Sequence, residues 1–166
     1  MNPKIISAEF LAELEREAPA SRKCLERLSE KLFDWKPHEK SMNLGYLALL
    51  VAEIPQWITY MIEKSEIDFA TYQRYQLSTA ADLVSHYEKC LEGAKNVLQN
   101  VTDEQLDELF YLKNNGQVLF SSSKRENVSS TINHWVHHRG QLTVYMRLNN
   151  IAVPSIYGPS ADERNF

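Results

Sequence analysis

The chain is poor in the residues that usually end regular structure. Only five glycines and six prolines occur among 166 residues. That scarcity argues against a many-stranded sheet, whose tight turns need both residue types, and favours long helices. Hydrophobic residues make up 43% of the chain and charged residues 24%, an ordinary balance for a globular protein of this size. We therefore predict a single domain over residues 1–166.

Cysteine, basic charge and long apolar runs are also scarce. The two cysteines, Cys24 and Cys90, stand far apart and outside any CxxC or Cys/His spacing, so both are expected to be reduced, buried and inert. The net charge is −4 and no basic run occurs, which argues against a nucleic-acid partner. Neither a signal peptide nor a membrane-length apolar segment is found. A cytoplasmic protein without a membrane partner is expected.

Apolar residues at helical spacing predict two long helices in the first half of the chain. Ser7 is the expected N-cap of the first helix. Pro19 interrupts the pattern, so this stretch is either one kinked helix or two consecutive segments. The second helix is predicted from a cap at Ser41 to about Lys64, with a bend at Pro55.

The second half is predicted to hold two more long helices and a hairpin. A polar connection over residues 65–77 leads to a third helix that opens at Ser78 or Thr79. Apolar runs on both sides of Asn115-Gly116 indicate a small β-hairpin. The last helix is expected from near Lys124 to near Asn150. Together these elements favour an all-α, four-helix bundle with a small β-hairpin before the last helix.

The last predicted helix carries three of the five histidines. His134 and His138 are one helical turn apart, and Gln141 and Tyr145 continue the same stripe along the edge of the core face. His137 lies well round the helix from that stripe. Two imidazoles at this spacing can present two ring nitrogens to one divalent ion, but two ligands alone do not make a tight site.

Several segments in the right order resemble the DinB superfamily of bacterial proteins, also called DinB/YfiT-like proteins. The segments are Trp35-Lys-Pro-His-Glu-Lys-Ser-Met42, Leu44-Gly-Tyr-Leu47, Ala52-Glu-Ile-Pro55, the stretch around His134, and Tyr157-Gly-Pro-Ser-Ala-Asp-Glu163. The resemblance implies an up-down-down-up four-helix bundle and a homodimer. It also implies a metal site made by three histidines, two of which are His134 and His138 here.

The third histidine of the family pattern is missing from this chain. It belongs on the second helix, where the phrase Leu44-Gly-Tyr-Leu-Ala-Leu-Leu-Val-Ala-Glu53 places Leu50. Leucine cannot ligate a metal. Three outcomes follow: an abandoned site, a substitute ligand such as Glu53 or His86, or a weak site completed by water or substrate. The ion would be Zn, Ni, Mn or Fe, and the surrounding pocket would include Leu50, Gln141 and Tyr145.

Other polar residues in these segments are given structural roles. Glu53 is expected to pair with Arg139 across the bundle, because a buried charge needs a partner. His86 is expected at the surface or the boundary of the core. His137 and His38 are expected to be structural, with His38 anchoring the loop before the second helix.

Three functional readings remain open at this point. The first is a DinB-like protein of uncertain activity that binds a divalent metal weakly or no longer. The second, implied by the resemblance, is a metal-dependent transferase that joins thiols such as bacillithiol or mycothiol to small electrophiles, or a mycothiol-dependent isomerase. The third is a non-catalytic dimer that binds a small thiol or apolar molecule or acts in a stress response. No Ser/His/Asp triad, phosphate loop or dinucleotide fingerprint offers another route.

Overall fold

A computed structural model describes residues 4–164 as a mostly helical body with a small sheet on one side. The helices are α1 (Ile5–Leu25), α2 (Leu44–Lys64), α3 (Ala80–Asn100), α4 (Asp103–Leu106) and α5 (Lys124–Leu148), with one 3-10 turn at Glu30–Leu32. The strands are β1 (Glu66–Asp68), β2 (Leu109–Asn114) and β3 (Gln117–Ser123). None of these helices is both long and apolar enough to cross a membrane. The predicted domain, 1–166, reaches beyond the described residues at both ends.

Reciprocal capping boxes fix the starts of three helices. Thr79 caps α3, Thr102 caps α4 and Ser123 caps α5; in each case the cap residue and the third helical residue satisfy one another's backbone N–H groups. The predicted start of the third long helix at Ser78 or Thr79 is therefore confirmed, with Thr79 as the cap.

The first two helix starts differ from the predictions. Ser7 lies inside α1 and is not its cap. The Asp103 carboxylate instead accepts the N–H groups of residues 5, 6 and 7, at 3.0, 3.1 and 3.3 Å. Asn43, and not Ser41, caps α2 by accepting the Tyr46 N–H at 2.8 Å. The α1 cap comes from a residue nearly 100 positions away, so local sequence could not have shown it.

The prolines of the first two helices lie within continuous helices. Pro19 lies inside α1, which continues to Leu25 as one helix. Pro55 lies inside α2 and is buried.

The predicted all-α class is corrected by the sheet: the chain is mostly helical but also forms three strands. The predicted hairpin is confirmed: β2 and β3 are antiparallel, and Asn115 and Gly116 join them with φ values of 50° and 78°. Positive φ at both positions is what a two-residue hairpin turn of the favoured type requires. β1 pairs in parallel with β2, so the strand order is β1-β2-β3. β1 is three residues long and falls in the stretch predicted as a connection, because so short a strand has no pattern of its own.

Helices α2 and α5 run in opposite directions against one another. The Tyr145 hydroxyl donates to the Met42 carbonyl at 3.1 Å, and the Trp135 indole donates to the Val51 carbonyl at 2.8 Å. Further along, the Thr131 hydroxyl reaches the Met61 sulfur at 3.6 Å. Advancing along α2 therefore means going backwards along α5, which sets the positions of all side chains between the two helices.

Candidate functional site

A cleft of about 640 Å³ opens between α2, α5, the sheet and the segment that follows β1. We call it the α2–α5 cleft. Its apolar lining comes from α2, the sheet and the segment after β1, and includes Leu50, Trp57, Met61, Phe110, Leu112 and Phe120. Its charged and imidazole-bearing residues are Glu53, Arg74, His134 and His138. The predicted histidine pair and Leu50 thus face one cavity.

The two histidines are hydrogen-bonded to one another. Their Nε2 atoms lie 2.7 Å apart, and the other ring nitrogen of His138, Nδ1, is 2.8 Å from the Gln141 side-chain oxygen. The amide oxygen can only accept, so His138 Nδ1 carries a hydrogen. In neutral His138 the Nε2 atom is then the acceptor, and His134 Nε2 is the donor. Gln141 thereby orients His138, which is 9% exposed.

The environment of His134 disfavours its protonation, although its side chain is exposed. Partial desolvation lowers the pKa of His134, and the neighbouring His138 and His137 lower it further. At neutral pH His134 is therefore expected to be uncharged, and its Nε2 atom shares a hydrogen bond with that of His138.

The three-histidine centre implied by the resemblance does not fit the donors present. Two imidazoles on one tetrahedral zinc ion hold their nitrogens about 3.3 Å apart, whereas these nitrogens are at hydrogen-bonding distance. Leu50 lines the cleft at the position of the third ligand. Within residues 4–164 no group of three His, Cys, Asp or Glu side chains is arranged to hold a metal.

Glu53, one of the two suggested substitute ligands, has protein partners of its own. It is 3% exposed. One oxygen, Oε1, accepts the Tyr75 N–H at 2.9 Å and lies 3.1 Å from His86 Nε2. The Tyr75 ring stacks on the His86 ring with centroids 3.9 Å apart. His86 is half-buried, at the boundary of the core as expected, and it partners Glu53.

The predicted Glu53–Arg139 pair is wrong. Arg139 is 1% exposed and forms an ion pair with Glu17. It also donates to the Glu17 carbonyl at 2.9 Å and to the Tyr157 hydroxyl at 2.8 Å. One residue along a helix turns the side chain by about 100°. Arg139 therefore points to α1 and the C-terminal tail, while His138 faces the cleft.

Tyr145 is a core residue and not part of the cleft lining. It is 9% exposed, its hydroxyl is bound to the Met42 carbonyl, and its ring meets Trp35 edge-on at 5.5 Å. Of the predicted pocket residues, Leu50 lines the cleft. Gln141 lies outside the lining and accepts a hydrogen bond from His138 Nδ1. Tyr145 connects α5 to the residues just before α2.

The remaining histidines have structural contacts. His38 Nδ1 accepts the Lys40 N–H at 3.1 Å and so anchors its loop. The exposed His137 ring packs edge-on against His138, with centroids 5.2 Å apart.

Both cysteines are buried, as predicted. Burial raises the pKa of Cys24 to about 11 and that of Cys90 to about 12, so neither is a ready nucleophile at neutral pH. Cys90 Sγ lies 3.6 Å from His86 Nε2, the same nitrogen that contacts Glu53. Cys90 Sγ also lies 4.0 Å from His86 Nδ1, but the raised pKa keeps the thiol protonated at neutral pH, so these three residues do not supply an activated nucleophile.

Residues missed at the sequence level close the cleft on its outer side. Phe69, Tyr72 and Arg74 come from the stretch predicted as a polar connection, and Phe110 and Phe120 come from the hairpin. The signal that could have found the first group is the frequency of aromatic residues over 69–75, which is unusual for a solvated loop.

Comparisons with known proteins agree with this fold. The DinB family matches residues 1–165. The uncharacterized protein YrdA of Bacillus subtilis is 28% identical over 160 residues, covering 93% of this chain and 89% of that protein.

Two solved structures share the fold. A DinB-like protein from Bacillus subtilis, YjoA, has a TM-score of 0.71 at 18% identity, over 95% of this chain and 99% of that one. A DinB-like protein from Bacillus cereus has a TM-score of 0.70 at 24% identity, over 89% of this chain and 95% of that one. The chain belongs to the DinB family.

Proposed function

We propose that this DinB-family protein binds a small, mainly apolar molecule in the α2–α5 cleft, with the His134–His138 pair as its central polar contact. The observation that carries the proposal is the composition of the cleft: about 640 Å³ of space, mostly aromatic and aliphatic walls, and a few converging polar groups. Small-molecule sites commonly have this volume and this balance.

The position of Leu50 supports binding over metal-dependent chemistry. Thiol transfer of the kind implied by the family resemblance needs an ion held by three protein ligands. Here an aliphatic side chain takes the place of one ligand, and the other two share a hydrogen bond. An apolar wall at this position favours contact with the body of an organic ligand.

A weak divalent site is the second candidate. Gln141 fixes His138 Nδ1 as the protonated nitrogen and leaves Nε2 with its lone pair. Metal-bound histidines are commonly oriented by such a hydrogen bond to their other ring nitrogen. Zn, Ni, Mn or Fe would have to displace the hydrogen bond to His134 and take its remaining donors from water or the bound molecule. A thiol ligand would be one such donor.

Further parts of the proposal come from the family resemblance. We take the four long helices as an up-down-down-up bundle, the protein as a homodimer in the cytoplasm, and a stress response as one setting in which the bound molecule would matter. Size-exclusion chromatography with light scattering tests the dimer directly, since a monomeric mass would contradict it.

Binding can be tested with a neutral probe, phenylbutanol, in an NMR titration of the labelled protein. We expect saturable shifts confined to cleft residues. Phe120→Ala should weaken binding about fivefold, because a half-exposed aromatic wall is lost. Leu119→Ala is the control, since Leu119 is an equally exposed neighbour on β3 that does not line the cleft. Absence of saturable shifts, or equal affinities for the two variants, would contradict the proposal.

The metal candidate needs a separate measurement on protein purified without an affinity tag. If it is correct, zinc binds with a 1:1 stoichiometry and this binding is lost in His138→Ala. Chelator-treated protein that takes up no zinc would rule it out and leave the apolar-ligand proposal intact.

A further inference from the structure

We propose that the molecule bound in the α2–α5 cleft is an amphipathic acid, whose carboxylate is bound by Arg74 at one end while its apolar body extends toward the sheet. The inference rests on the proposed binding function and adds the chemical class and orientation of the ligand. It is carried by Arg74, the segment that holds it, and the distribution of polar groups along the cleft.

Arg74 is an exposed cation of the cleft lining. Its guanidinium lies over the Tyr46 ring, 4.7 Å from the centroid. The ion pairs among residues 4–164 do not include Arg74. A guanidinium that uses its face on an aromatic ring still has its edge N–H groups free, and these match a carboxylate in a bidentate geometry.

The segment that carries Arg74 is fixed on both sides. Before it, the Tyr72 hydroxyl accepts the Trp57 indole N–H at 3.1 Å. After it, the Tyr75 N–H donates to Glu53 and the Tyr75 ring stacks on His86. Arg74 therefore sits between two anchored residues. Such preorganisation lowers the entropy cost of forming a contact with a ligand.

Glu53 is the one acidic residue in the cleft lining, and its charge is partly compensated. Oε1 accepts the Tyr75 N–H and contacts His86 Nε2. These contacts are internal to the protein. Glu53 therefore has partners within the protein, whereas no acid pairs with Arg74 among the described residues, so Arg74 is the charge that the cleft offers to a ligand.

The cleft has a charged end and an uncharged end, and at the uncharged end α5 contributes the neutral polar residues Asn127, Ser130 and Thr131. Since α2 and α5 run in opposite directions, Tyr46 and Leu50 lie at the level of His138, whereas Met61 lies at the level of Thr131. Arg74 joins the first group through Tyr46. The second group continues into the sheet, which adds Phe110, Leu112 and Phe120. An acid with an apolar body matches this arrangement when its charged end lies beside Tyr46.

A matched pair of probes tests the charge directly. Phenylbutyrate and phenylbutanol share one apolar body and differ in the terminal group. For the wild-type protein we expect the acid to bind about tenfold more tightly than the alcohol, a gain typical of a charge-assisted hydrogen bond at a partly exposed site. NMR titration gives both affinities and shows whether both probes shift the same cleft residues.

Three variants assign the preference to Arg74. Arg74→Gln should lose the preference for the acid, measured as the ratio of the two affinities, while both probes still shift the cleft residues. Arg74→Lys should keep part of the preference, because the charge remains and the bidentate geometry is lost. Arg16→Gln is the matched control: this exposed arginine lies on α1, outside the cleft, and its replacement makes the same change in net charge.

The outcomes separate the two proposals. If neither probe binds the cleft, the binding function fails and this inference fails with it. If the alcohol binds but the acid binds no better, or if Arg74→Gln keeps the acid preference, only this inference is overturned. A preference lost in Arg74→Gln and kept in Arg16→Gln supports it.

Discussion

Two neighbouring residues of α5 show two different uses of a polar group in a protein interior. Arg139 faces α1 and is held by several protein groups: it pairs with Glu17, donates to the Glu17 carbonyl and donates to the Tyr157 hydroxyl. His138 faces α2 and has two partners, Gln141 and His134, both on its own helix. The first set ties together parts of the chain more than 100 positions apart; the second ties α5 only to itself.

The difference indicates which face is structural and which is available for function. A buried charge that is paired and hydrogen-bonded within the protein contributes to the fold and is not offered to a ligand. A hydrogen bond between two imidazoles that line a cavity can be exchanged for a bond to a bound molecule at little cost to the rest of the structure. Substitutions on the Arg139 face and on the His138 face of α5 therefore test this difference.

The largest effect is expected from Arg139→Met. The substitution keeps much of the volume but leaves the carboxylate of Glu17 without its cation, and breaking a buried pair in this way costs about 3 kcal/mol. Urea unfolding at neutral pH measures the loss. Arg147→Met on the same helix is the control: the Arg147–Asp162 pair is largely exposed, so its loss should cost under about 1 kcal/mol. Equal losses for the two variants would contradict the structural role of Arg139.

The second-largest effect is expected from a substitution in the cleft that faces α5, and it is a change in zinc affinity. Leu50→His supplies the missing imidazole opposite His134 and His138, and we expect zinc affinity to rise about hundredfold, roughly one ligand's share of a four-ligand zinc site. Competition with a chromophoric chelator measures it. Leu50→Gln is the control, since it adds polarity and comparable bulk without an imidazole. If both variants bind zinc like the wild type, the position of residue 50 is not that of a third ligand.

The sequence predicted the parts of the molecule that depend on local pattern. Helical periodicity placed His134 and His138 on one face of α5, the family resemblance placed Leu50 opposite them, and Asn115-Gly116 indicated the hairpin; the three residues line one cleft and the hairpin is formed. The partner of Arg139 was predicted wrongly, because a one-residue step round α5 decides which helix it meets. The cleft's outer wall was missed, since residues 69–75 pack there through long-range contacts that no local pattern encodes.

The smallest effect is a pH dependence confined to the cleft side. Arg139 stays charged at any ordinary pH, so the α1 side should not respond to mild acid through that residue. The pKa of His134 in the folded protein is lowered, chiefly by desolvation and then by His138 and His137, so it lies below the unfolded value of about 6.5. Between the two values the unfolded chain binds more protons, and stability therefore falls as pH drops through that window.

The test of this pH effect compares urea midpoints at about pH 7.5 and pH 5.5, which bracket the ordinary histidine value. The wild type should lose more stability on acidification than His134→Gln, which cannot take up that proton. Asn133→Gln is the control, since it changes an exposed residue of the same helix without removing a titratable group, and it should follow the wild type. If wild type and His134→Gln fall in parallel, protonation of His134 is not resisted by the fold. The imidazole pair would then be as open to solvent as any surface histidine, and the contrast between the two sides of α5 would rest on Arg139 alone.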